Sequence, residues 1–288
     1  MRIRVISAIA YILFAPLIGG LLEGIDRKIS ARMQRRVGPP LLQPFYDLGK
    51  LLHKQVISVT NMQAFLLLSY LVFIMLTGVM LFSGMDILLC MFTLSTAAMF
   101  LYFAACITSS PYSTIGASRE LIQIIAYEPA VLLTCVGFYL VSGSFRVSRI
   151  IDVNLSNLVY LPGVFIAFVF ILTIKMRKSP FDISTAHHAH QEIIKGITSE
   201  MGALNLAIFT VTEWYENVFL LAVIALFIIN KNPWSIVSAL IVLAFVYFLE
   251  ILIDNSSARM KYTHMLKMAW GVTLVLAGSN IWVLMLIK

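Results

Sequence analysis

The 288-residue chain is 60% hydrophobic and only 12% charged, against about 25% charged residues in an ordinary soluble domain. That balance excludes a water-soluble globule, and in such a chain the net charge of +7 reads as basic loops that orient a membrane protein, not as a nucleic-acid surface. The chain has room for eight apolar runs of the ~20 residues needed to cross a ~30 Å hydrocarbon core. The predicted fold is therefore all-α: a polytopic membrane protein with about eight transmembrane helices, forming one domain over residues 1–288.

In chain order, spans are predicted at 4–22, 63–84, 86–107, 120–143, 158–175, 202–230, 234–253 and 265–286. The first follows Arg2 and Arg4, and its length and continuation into further spans mark it as a membrane helix instead of a cleavable signal. After it comes ARMQRRVGPPLLQPFYDLGKLLHK (31–54), which breaks at Gly38-Pro39-Pro40 and then turns helical in period. Leu41, Phe45, Leu48 and Leu52 fall on one face, with Asp47, Lys50 and Lys54 on another. This is an amphipathic helix lying in the interface, either as a membrane-surface clamp or as the floor of a crevice beneath a docked subunit. Ser83-Gly84-Met85-Asp86 is a tight turn joining the second and third spans. Cys90, Cys106 and Cys135 sit in separate apolar runs with no CxxC spacing, so no disulfide, zinc or iron–sulfur cluster is expected on this chain.

Lys and Arg set the orientation. Connections after the odd-numbered spans hold seven, one, four and three of them, fifteen in all, against six in the termini and remaining connections. The positive-inside rule then puts the odd connections in the cytoplasm and both termini outside.

Acids within spans carry the functional signal, because each costs roughly 2.5–3.5 kcal/mol to insert and usually faces a wet cavity or a partner. Glu128 lies in IIAYEPAVLL directly before Pro129, which removes a backbone donor and should free a carbonyl nearby. Glu120 begins the same span beside Arg119; eight residues put the two carboxyls about 80° apart, near enough to line one crevice. Glu213 and Glu216 share a face of the sixth span. Desolvated carboxyls linked by water are the usual material of a proton path; the competing reading is structural carboxylates neutralised by Arg or Lys. The connection KSPFDISTAHHAHQEIIKGITSE (178–200) packs His187, His188, His190, Gln191 and Glu192 into six residues. Helical spacing pairs His187 with Gln191 and His188 with Glu192. A proton relay, a docking surface, an interfacial polar helix and a metal site all fit that cluster, the last weakened by the absence of HExxH and of nearby cysteine.

At these motifs the chain resembles the chamber subunit of respiratory complex I and, more closely, its counterpart in energy-converting (Ech-type and formate hydrogenlyase-like) nickel–iron hydrogenases. The matching pieces are ARMQRRVGPPLLQPFYDLGKLL, IGASRE (115–120), YEPA (127–130), SPFDI (179–183), AHHAHQE (186–192) and DNSSARM (254–260), in order along most of the chain. The resemblance implies a membrane anchor and ion-path coupling subunit. It would join ferredoxin-dependent proton reduction in a peripheral arm to H⁺ or Na⁺ translocation, without catalysing that reduction itself. It also implies partners: hydrogenase large and small subunits, a ferredoxin-like iron–sulfur subunit and an antiporter-like membrane subunit. The nickel–iron centre and clusters would lie in those partners, with no cofactor on this chain and no nucleic acid involved. Carried over by motif, Glu120, Glu128, Glu200 and Glu213 belong to a carboxylate channel, with Glu216 beside them. Asp182 and the His187, His188, His190, Glu192 loop lie near the peripheral interface, and Arg36, Asp47 and Lys50 line the crevice. The location implied is the cell membrane. A quinone-chamber subunit of a complex I-like NADH- or ferredoxin-linked oxidoreductase is the alternative, disfavoured by AHHAHQE where that type carries a more acidic loop. An independent secondary transporter should show a repeat with paired broken helices, and none is visible.

Overall fold

The computed structural model describes residues 2–55, 60–185 and 195–287. Its helices are α1 (Arg2–Met33), α2 (Gln43–His53), α3 (Asn61–Phe82), α4 (Ile87–Cys106), α5 (Pro111–Ser142), α6 (Val147–Ile151), α7 (Asn157–Tyr160) and α8 (Pro162–Lys175). They continue with α9 (Ala203–Leu226), α10 (Trp234–Ser256), α11 (Tyr262–Val272) and α12 (Ser279–Ile287), the last two joined by a π turn, Thr273–Gly278. Among the described residues seven helices are long and apolar enough to cross a membrane: α1, α3, α4, α5, α9, α10 and the continuous Tyr262–Ile287 run. The eighth apolar helix, α8, has 14 residues and so measures about 21 Å, short of a full crossing.

Several boundaries differ from the hydropathy reading for local reasons. α5 begins at Pro111, nine residues before the predicted start, because Ser110 is extended and proline suits the first helical position. Glu120 therefore lies inside this helix and is buried. α1 runs on to Met33, so Glu23, Asp26 and Arg27 sit on a rigid helix instead of a loop. The amphipathic helix is present as α2, but its face is rotated from the one read off the sequence. Pro44 is buried and Leu48 and Leu51 partly so, while Leu41 and Leu52 are exposed. The buried stripe follows the contact Phe45 makes with Trp214 of α9, ring centroids 5.2 Å apart.

Connections gather by parity, as antiparallel packing requires. At one end Gln34 donates to the Asn255 side chain (3.0 Å) and Met260 N–H to the Pro180 carbonyl (3.3 Å). Gly116 of α5 meets the 3₁₀ turn Gly196–Thr198 at this same end. At the other end Ile87 N–H bonds to the Phe145 carbonyl (2.9 Å) and Asn157 to the Leu226 carbonyl (3.0 Å). α9 is the central helix, packed against α1, α2 and α3 and burying Trp214, Phe219 and Ile224. Small residues let backbones approach without a hydrophobic driving force from lipid. A Cβ on Gly19 of α1 would come within 2.6 Å of the Trp214 backbone oxygen.

Gly19→Ala is expected to destabilise the protein by about 1–3 kcal/mol, since backbone must move to admit the methyl. Gly49→Ala on α2, where a Cβ meets nothing within 4 Å, should leave stability unchanged or raise it slightly. Thermal unfolding of the two purified variants checks the contrast.

Candidate functional site: a buried ionic cluster beneath a crevice

The site is organised by the way α8 ends. Arg177 N–H bonds to the Ile174 carbonyl and Lys178 N–H to the Thr173 carbonyl, both at 3.1 Å, which is the paired closure that usually places glycine in the left-handed position. Here that position is Arg177, at φ 51°, a conformation costing about 1–3 kcal/mol for a side-chain-bearing residue. The reversal turns three cations of one short stretch, Lys175, Arg177 and Lys178, inward, and all three are buried.

Arg177 is shared by two carboxylates. Its Nη2 lies 2.8 Å from Glu120 Oε1 on α5, and its Nη1 lies 2.9 Å from Glu213 Oε1 on α9. Burial works against its charge, but Glu120 and Glu213 outweigh it and hold the guanidinium protonated well above its ordinary range. Lys175 Nζ sits 2.6 Å from Glu216 Oε1 and donates to the Tyr127 hydroxyl at 3.1 Å. Tyr70 donates to the other Glu216 oxygen at 2.7 Å. In this set of five charged groups three are acids and two are bases, so one carboxyl can take a proton without stranding a cation. Glu213 is placed for that exchange, its side chain 33% exposed where Glu120 and Glu216 are nearly sealed.

Above the cluster opens a crevice of about 1130 Å³, walled by α1, α2, α9 and the ends of α8 and α10. Arg27 on α1 binds Asp47 on α2 at 2.8 Å and also Glu23, which accepts from the Trp214 indole. Partial burial would raise the Asp47 carboxyl, yet hydrogen bonds from Arg27 and Gln43 hold it below the usual carboxylate range. Lys178 pairs with Asp26 at 2.7 Å. Three of the sequence motifs meet at the rim: Ser179 N–H donates to Asp254 (2.8 Å), Arg259 pairs with Asp182 (3.0 Å), and Gln34 donates to Asn255 (3.0 Å).

Of the residues singled out from sequence, the structure brings together Glu120, Glu213 and Glu216 in the cluster and Asp47 and Asp182 on the crevice wall. Glu128 does not join Glu120 in the cluster, and neither lines the crevice. The helix position that returns to Glu120's face is seven residues on, about 20° away, and belongs to Tyr127. Glu128 is half-buried with no ion pair among the described residues, and the carbonyl that Pro129 frees, Ile125, accepts from the Trp270 indole (3.3 Å). Glu200 closes the turn before α9, also without a described ionic partner. Arg36 is exposed and bonded to the neighbouring Gln34 side chain, and Lys50 points outward 71% exposed; neither lines the crevice. His187, His188, His190, Gln191 and Glu192 lie outside the described residues. Sequence reasoning missed Lys175, Arg177 and Lys178, which it counted as loop charges, and Glu23, Asp26, Tyr70 and Tyr127. It also passed over Glu250, although an acid inside the apolar run YFLEILI is the same signal that flagged Glu128.

Comparison with known proteins adds to this geometry. The family described as NADH dehydrogenase matches residues 6–285. Formate hydrogenlyase subunit 4 of Escherichia coli is 30% identical over 91% of this chain and 92% of its own length. An NADH-quinone oxidoreductase subunit of Aquifex aeolicus is 25% identical, covering 72% of this chain and 70% of its own. A chain in the structure of the membrane-bound sulfane sulfur reductase, an archaeal respiratory membrane complex, superposes with a TM-score of 0.83 over 98% of this chain and 99% of its own. At 22% identity that likeness speaks to the fold alone.

Removing one member of a buried ion pair leaves the other uncompensated, at about 3–5 kcal/mol. Lys175→Met is therefore expected to lower stability by that order, and the double variant Lys175→Met/Glu216→Gln to recover most of it. A double-mutant cycle on thermal unfolding checks this coupling.

Proposed function

This chain belongs to the NADH dehydrogenase family, and on that premise we propose that it is the membrane anchor and ion-path coupling subunit of an energy-converting hydrogenase. The observation that carries the reading is the cluster of three buried carboxyls and two buried cations opening onto a polar crevice at one end of the bundle. A simple anchor has no use for such an arrangement, which costs several kcal/mol per ion in desolvation. A subunit that moves charge does. Similarity to formate hydrogenlyase subunit 4 and to hydrogenase-4 component C of Escherichia coli, the latter over 96% of both chains, favours a hydrogenase partner.

In this reading Glu213 takes a proton from crevice water. Its neutralisation leaves Arg177 wholly to Glu120, and the change in field reaches Glu216 through the adjoining Lys175 pair. Electron transfer and proton reduction occur in the peripheral large and small hydrogenase subunits, which hold the nickel–iron centre and, with a ferredoxin-like subunit, the iron–sulfur clusters. An antiporter-like membrane subunit continues the ion path, which reaches Glu128 and Glu200 beyond the cluster. The odd-numbered connections, which gather at the crevice end and carry most of the Lys and Arg, face the cytoplasm. Both termini then lie outside the cell membrane.

A quinone-chamber role is the second reading, favoured by the relatives from NADH-quinone oxidoreductases and by the amphipathic α2 flooring the crevice. The charged crevice wall, with Arg27, Asp47 and Lys178, suits water and protons better than an isoprenoid tail.

Hydrogen evolution from reduced ferredoxin by the purified complex, without added quinone, is the expected result. Turnover that requires quinone would reverse the order of the two readings. In proteoliposomes Glu213→Gln is expected to abolish gradient formation while leaving the complex assembled; a wild-type gradient would make the cluster structural.

A further inference from the structure

A second acid lies outside the Arg177 cluster and differs from it in kind. Glu250 of α10 has no solvent exposure, and neither of its carboxyl oxygens finds a hydrogen-bond partner among the described residues. It belongs to the buried face of α10, with Val246, Tyr247 and Ile251, and α10 packs against α1 and α9. An ionised carboxylate in that position forfeits its hydration with no hydrogen bond in exchange, at a cost of several kcal/mol. A neutral carboxyl forfeits only about 1–3 kcal/mol, so the geometry favours a bound proton.

The charged groups around it are few. On its own helix Asp254 follows one turn later and is engaged with the Ser179 amide. On α1, Asp26 is held by Lys178, and Glu23 by Arg27 and Trp214. On α9, Glu213 and Glu216 are held by Arg177 and Lys175. From the α8–α9 connection comes Lys178, whose ammonium pairs with Asp26 at 2.7 Å and lies 5.0 Å from the ring centroid of Tyr247, the residue one turn before Glu250 on the same buried face of α10. One ammonium on a flexible four-carbon stem thus stands within influence of two acids: one paired, one unpartnered.

We propose that Glu250 is a proton-loading site whose state is reported to the crevice by Lys178. With the proton bound, Lys178 remains on Asp26. When the proton leaves toward the crevice, past Tyr247 on its wall, the new carboxylate draws Lys178 away, and Asp26 is left as a bare anion on the crevice wall. A hard metal cation needs several oxygen ligands, whereas a carboxyl with no hydrogen-bond partner among the described residues needs only a proton to be neutral, so the species proposed is a proton and not sodium. The site deepens the coupling role proposed above and rests on it for its purpose. Its test, however, uses neither turnover nor an ion gradient, so either idea can fail alone.

The measurement is an infrared pH titration of the purified intact complex in detergent, following the carbonyl band of protonated carboxyls. Glu250→Gln is expected to remove one titrating band. Asp26→Asn leaves Lys178 to Glu250 alone, and Lys178→Gln leaves Glu250 with no cation; the two should move that band's midpoint in opposite senses, each by about 1 pH unit or more. A spectrum unaltered by Glu250→Gln, or a midpoint that neither of the other variants moves, overturns the proposal. Loss of the band on adding sodium at fixed pH would overturn the assignment of the proton. Should Glu250→Gln fail to assemble, the two midpoint shifts decide alone.

Discussion

The arrangement depends on one guanidinium held by two carboxylates from distant parts of the chain. Arg177 bridges Glu120 of α5 and Glu213 of α9, and each of those acids lies about 14–15 Å along its helix from the crevice end. A cation can reach that depth because α8 is short. A full-length fifth span would carry Lys175 and Arg177 out to the interface, where they would be hydrated and could not pair with the mid-helix acids. The brevity of α8, its left-handed closure and the buried ion pairs are parts of one solution.

That solution constrains the rest of the molecule. Three helices must deliver charge to one place, so the packing around them is close: Gly19 admits the Trp214 backbone, Gly116 admits the Gly196–Thr198 turn, and Phe45 of α2 covers Trp214. The rim is tied by polar contacts between segments far apart in sequence, with Asp254 and Arg259 gripping the Ser179–Asp182 stretch. Buried ion pairs are weak contributors to net stability, because desolvation offsets most of the Coulomb gain. On the role proposed for the cluster, their persistence here is the cost of a responsive electrostatic site. One surplus acid in the cluster gives it a state to change.

Glu250 supplies the contrasting case. In the cluster, acids are satisfied and the question is which one yields; at Glu250 the acid is unsatisfied and the neighbouring base is already engaged. The two sites meet at adjacent cations of a single turn, Arg177 and Lys178, both of which line the crevice. A shift in one cation is therefore positioned to be felt at the other.

The fold was largely legible from composition and period. Apolar runs must become helices in lipid because every backbone group has to be satisfied within its own segment, and the parity of charged connections followed from antiparallel packing. The acids within those runs were visible too, since an ionisable residue is conspicuous against leucine and phenylalanine. Partnership was not legible. Lys175, Arg177 and Lys178 look like ordinary loop cations until the backbone reversal turns them inward. Tyr127, not its acidic neighbour Glu128, returns to the Glu120 face, because seven residues complete nearly two turns and eight overshoot. Sequence by itself determined that charge would be buried in this membrane protein, because hydropathy is a local sum. Which charges meet, and which acid is left alone, only the tertiary structure decided, because Coulomb energy depends on distances between residues that share no neighbourhood in the chain.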